Sequence, residues 1–168
     1  MSNQSLDRLS NGQGAVDAAK DGRVEEPQTT VIDHAVVFEY SGETDLLHVS
    51  ELILRSQNIS GFSIDTAKQL ENLELLSLSH NSVSSLKTFT NLTSLVELNL
   101  NFNNICSLQG LKLPLLEKLF LSNNKIVTIQ KLSRAMPGLK ELCLYKNCIN
   151  DLESVVADLK PCGKLEKL

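Results

Sequence analysis

The chain has no tryptophan, two tyrosines and five phenylalanines in 168 residues, so its core must be aliphatic. It also lacks a basic excess. Sixteen Lys and Arg face 20 Asp and Glu, a net charge of −4, which argues against a dedicated nucleic-acid binder. No apolar run approaches the roughly 18 residues that a membrane span requires. Residues 1–14 are polar and carry no apolar core of the secretory kind, which predicts a cytoplasmic chain, with nuclear, cytoskeletal or ciliary settings open and secretion not expected.

Metal and disulfide patterns are missing too. The cysteines are Cys106, Cys143, Cys148 and Cys162, with no Cys-x2-Cys spacing, and His34, His48 and His80 are scattered. That spacing argues against zinc and for free thiols, so no metal and no cofactor are expected. The sequons at Asn3, Asn58 and Asn91 carry no weight in a chain read as not secreted. Gly-rich phosphate loops and a Gly-x-Ser-x-Gly elbow are absent, so no catalytic residue is assigned and the chain is read as a non-enzyme.

Composition divides what is present. Residues 1–30 are polar with isolated hydrophobes, too few to offset the entropy of ordering, and read as a disordered acidic tail. Nine acids and three bases give the first 48 residues −6, leaving +2 for the remaining 120. An apolar segment over 31–40 reads as either a strand or a helical turn, and residues 31–48 as an N-terminal cap.

Residues 49–168 repeat. Leu-x-x-Leu-x-Leu-x-x-Asn-x-Ile aligns five times: from Val49 to Ile59, Leu73 to Val83, Leu95 to Ile105, Leu116 to Ile126 and Leu139 to Ile149. A sixth copy begins with Leu165 and Leu168. Five matches in register are not a chance pattern. Leu-x-Leu is the period-2 signature of a strand with one buried face. The ninth position falls where the chain must turn, and an amide there both donates and accepts, so Gln57, Asn81, Asn103, Asn124 and Asn147 form a predicted structural ladder. Asn also tolerates unusual backbone angles. Apolar positions after each Asn fit short helices or 3-10 turns, and 151–160 reads as a true helix ended by Pro161 and Gly163.

These copies resemble the leucine-rich-repeat family. Those with Asn-x-Ile, such as Leu119–Ile126, are similar to the intracellular class of the leucine-rich regulatory subunit of protein phosphatase 1. The resemblance implies an α/β solenoid with a parallel sheet on its concave face and short helices or 3-10 turns on its convex face. It also implies a protein-binding role, with phosphatase targeting or a centrosomal or ciliary scaffold as settings and an RNA-associated, spliceosome-type protein as the alternative. Two departures stand out: Gln57 replaces Asn in the first copy, and the last copy stops mid-motif without the family's usual cap. The second predicts a piece of a longer protein.

Outward strand positions supply the candidate surface for a protein partner: Glu97, Asn99, Asn101, Phe102, Lys118, Phe120, Ser122, Cys143 and Tyr145. Phe102, Phe120 and Tyr145 sit on adjacent rows, and exposed aromatics beside charge are typical binding anchors. Cys143 would be a reactive thiol only if Lys118 or Lys146 lowered its pKa. The basic residues Lys112, Lys118, Lys125, Lys131, Arg134, Lys140 and Lys146 occupy different motif positions, which reads as a solvated surface.

Overall fold

A computed structural model describes residues 29–168; most of the predicted acidic tail lies outside the described residues. Five three-residue strands, one per copy, form a parallel sheet in chain order: β2 (Glu51–Ile53), β4 (Leu75–Ser77), β5 (Glu97–Asn99), β6 (Lys118–Phe120) and β7 (Glu141–Cys143). The other strands among the described residues are β1 (Thr30–Ile32) and β3 (Ile59–Phe62). The register of the five has no slip, so Leu52, Leu76, Leu98, Leu119 and Leu142 stand side by side. All five are at most 1% exposed. Period-2 alternation sends these leucines inward, where each contributes roughly 1.5–3 kcal/mol by burial.

The return segments are short, as the copy length dictates. They include α2 (Ile64–Gln69), a 3-10 turn at Thr88–Asn91 and α3 (Leu132–Ala135). The third copy's return has no helix among the described residues, only turns around Gly110, whose φ of +84° suits glycine. Helix α4 (Leu152–Leu159) occupies the predicted place, with Asp151 accepting from the Ser154 amide as its N-cap.

The 31–40 segment is both strand and helix. β1 pairs in parallel with β3, and α1 (His34–Ser41) follows at once, capped by Asp33 and ended by Gly42 at φ +73°. Ile32 and Val37 are fully buried in the same core as the repeat leucines. At the other end Lys167 forms one parallel bridge with Glu141, and Leu144 and Ile149 are only partly buried.

Candidate functional site

Each coil turns immediately after its strand, and the turn dictates what the surface presents. The eighth motif position adopts left-handed backbone in every coil: Ser56, His80, Phe102, Asn123 and Lys146, with φ between +53° and +59°. The unusual angles thus fall one residue before the ladder position, not on the Asn itself. The ladder Asn then reaches under the turn. Asn103 Oδ1 accepts from the Val83 amide, and its Nδ2 donates to the carbonyls of Leu78, Leu100 and Asn101. Asn124 repeats this toward Ile105, Leu100 and Leu121, and Asn147 toward Ile126, Leu121 and Leu144. Asn81 accepts from the amides of both Gln57 and Ile59. Gln57 departs from this arrangement. Its side chain is exposed, donates to its neighbour's carbonyl at Arg55 and accepts the Tyr40 hydroxyl of α1. The first coil has no preceding coil to reach, so the longer side chain ties to the N-terminal helix instead.

Left-handed backbone is comfortable for Asn123 but costs about 1–2 kcal/mol at a residue with a bulky Cβ substituent. His80 and Phe102 bear that cost and remain on the surface. Phe102 is 45% exposed, and its ring stacks on His80 with centroids 4.1 Å apart and planes 13° from parallel. An Arg55 guanidinium nitrogen lies 3.1 Å from His80 Nε2, so three successive coils contribute to one Arg–His–Phe row. Tyr145 is 67% exposed, with the Lys146 ammonium 5.5 Å from its ring centroid.

The structure places the other predicted surface residues on two rows. At the third position Glu97, Lys118 and Glu141 are register neighbours; Lys118 Nζ lies 2.9 Å from Glu97 Oε2, and that hydrogen bond and charge raise the Lys118 pKa above the ordinary lysine value. At the fifth position Asn99, Phe120 and Cys143 align. Phe120 is half-buried. Asn99 accepts from the Asn101 amide, Asn101 from the Ser122 amide, and the Ser122 hydroxyl lies 3.0 Å from Cys143 Sγ. Phe102 takes His80 as its ring partner, so it leans toward the preceding coil rather than toward Phe120 and Tyr145. Arg55 and His80 are therefore part of the surface and absent from the predicted set. Their motif positions, seven and eight, already placed them beside Phe102.

Ser79, beside His80, is buried, and the His80 ring is engaged by Arg55 and Phe102. Among the described residues, no group of three His, Cys, Asp or Glu side chains is placed to hold a metal ion. No described helix is long and apolar enough to cross a membrane. Burial, then the Asp158 charge, pushes the Cys162 thiol up, which disfavours its thiolate.

Two family models match the chain: "Leucine rich repeat" over residues 48–105 and "Leucine Rich repeats (2 copies)" over 114–161. Osteomodulin from Bos taurus is 31% identical over 128 residues, 72% of this chain, and osteomodulin from Rattus norvegicus is 33% identical over 129 residues, 73% of it. The chain spans only 29% of either relative's length. Among solved structures, internalin C2 of Listeria monocytogenes superposes with a TM-score of 0.57 at 27% identity, covering 69% of this chain and 50% of that one. Internalin F of the same species gives 0.54 at 25%, covering 65% and 32%. These findings correct two expectations. The curated relatives are osteomodulins rather than members of the phosphatase-regulator class. Osteomodulin is a secreted extracellular-matrix proteoglycan, which overturns the cytoplasmic placement and points to secretion.

Proposed function

We propose, for a chain that belongs to the leucine-rich-repeat family, a non-catalytic binding role: it engages a protein partner along the sheet face and the turns that follow its strands. The observation that carries this reading is the exposed Arg55–His80–Phe102 row, in which His80 and Phe102 are held in left-handed backbone where a smaller or amide side chain would sit at lower energy. Exposed, pre-positioned aromatics lose little conformational entropy on binding, which is why they anchor interfaces. Tyr145 extends the surface two coils further, with Phe120 on the coil between and Cys143 on its own coil. Five strands spaced about 4.8 Å apart give the stack room for an ordinary interface of about 800 Å² per partner. The likeness to osteomodulin supports an extracellular setting for this module.

The RNA-associated alternative finds little to rest on along this face. Among the described residues Lys118 is paired with Glu97 and Lys140 with Glu117, and the bases that lie beside the aromatics, Arg55 and Lys146, stand in the first and fifth coils rather than along a continuous track for a phosphate backbone to follow. The test is direct. A partner recovered on the wild-type chain and then purified should bind a Phe102→Asn/Tyr145→Ala variant more than tenfold more weakly. Unchanged affinity would refute the surface.

A further inference from the structure

Away from the sheet, the returns of the third and fourth coils do not close against each other. Between them lies a cavity of about 460 Å³, walled by residues 107–112 on one side and by Thr128, Gln130, Lys131, Arg134 and Ala135 on the other. The backbone joins the two walls where the Leu113 amide donates to the Ala135 carbonyl at 3.0 Å. Its charged lining is all of one sign. Lys112, Lys131 and Arg134 line it, and no Asp or Glu does. Among the described residues none of the three makes an ion pair or a side-chain hydrogen bond, whereas Lys118, Lys140 and Lys167 elsewhere each have a carboxylate partner. Ser107, Thr128 and Gln130 add neutral polar groups, and the half-buried Ala135, with the nearly buried Leu108 and Leu111 at its base, forms an apolar floor. Lys131 sits at φ +59°, strained for a residue with a long side chain, at the point where α3 begins. The sequence disperses these bases over different motif positions; the fold gathers three of them round one opening.

Three unpaired cations without a counter-charge, in a concave site with polar donors and an apolar floor, match a compact multivalent anion on an apolar carrier. We infer that this cavity binds a phosphate monoester carried on a ring-sized apolar group. Lys112 and Arg134 face the phosphoryl oxygens as charge-assisted donors, Ser107 and Thr128 supply neutral ones, and the leucine floor takes the carrier. This site is separate from the aromatic surface, shares no residue with it, and stands or falls independently of the proposed protein partner.

Phenyl phosphate is the probe, titrated into the whole chain near neutral pH, where most of it is dianionic, with backbone amide shifts as the readout. Shifts should concentrate at residues 107–112 and 128–135, saturate in the millimolar range or below, and weaken several-fold when sodium chloride rises from 50 to 300 mM. A Lys112→Gln/Arg134→Gln variant should bind at least tenfold more weakly with an unchanged melting midpoint, since both side chains are exposed. Inorganic phosphate should shift the same amides more weakly, because it leaves the floor empty. Equal binding of benzoate would overturn the assignment to phosphate, and equal binding of inorganic phosphate would overturn the carrier. Absence of saturable shifts at 10 mM phenyl phosphate, or undiminished binding by the double variant, would overturn the site itself.

Discussion

At the scale of single residues, the eighth and ninth motif positions divide the labour of the turn. The ninth satisfies buried backbone; the eighth takes the strained conformation and faces solvent. Asn103 is 7% exposed and serves one amide and three carbonyls, so Asn103→Leu strands several buried polar groups. We expect a loss of about 1–3 kcal/mol in chemical denaturation, with Asn124→Leu similar. The strained position responds with the opposite sign. Phe102→Asn replaces a bulky residue with one that accepts left-handed backbone, and we expect stability unchanged or raised by up to about 1 kcal/mol. A lower melting midpoint for this variant would show that the Phe102–His80 stack outweighs the backbone strain. The ladder was legible in the sequence because asparagine recurs at one register. The strain was not, because Ser56, His80, Phe102, Asn123 and Lys146 share a conformation but no side-chain chemistry.

At the scale of elements, the repeat strands and α4 could be read from periodicity and capping residues, since Leu-x-Leu and Asp151 followed by an apolar helical pattern each have one physical meaning. The N-terminal segment could not. Its apolar run fits a strand and a helix equally, and tertiary contacts decide: β1 pairs with β3, which belongs to the first coil's return, while α1 places Val37 in the core. Strand β3 itself is hidden in the sequence, because Ile59 reads as the end of a repeat motif rather than the start of a second small sheet. We propose that this segment caps the first coil, as the open end of a stacked core must be covered. Deleting residues 1–28 should then leave the melting transition in place, and deleting 1–42 should yield insoluble or noncooperative protein. Matching solubility and melting curves for the two deletions would contradict the cap. Within the full chain, Ile32→Ala should cost about 2–5 kcal/mol, the usual loss for emptying a fully buried isoleucine site.

At the scale of the whole molecule, the fold class was legible because a solenoid is written as a period, and the period of 21–26 residues leaves room only for a strand and a short return. The compartment was not legible. The polar composition of residues 1–14 predicts the cytoplasm, yet the relatives are secreted matrix proteins. Repeat geometry depends on leucine spacing and the Asn turn, which are the same on either side of a membrane, so the motif carries no record of location. Of the candidate surface, the strand register that aligns its rows was legible in the repeat spacing, but which side chains meet was decided by the turn conformation. That conformation tilts Phe102 onto His80 and brings Arg55 into the row. The central claim, that this row together with Tyr145 is where a protein partner is held, is tested most directly by calorimetric titration of the purified partner. The titration compares the wild-type chain, a Phe102→Asn/Tyr145→Ala variant and a Lys112→Gln/Arg134→Gln variant on the opposite side. The account predicts a more than tenfold weaker Kd for the aromatic variant alone, with melting midpoints within a few degrees of wild type for all three. Full affinity in the aromatic variant, or a loss confined to the opposite-side variant, would contradict it.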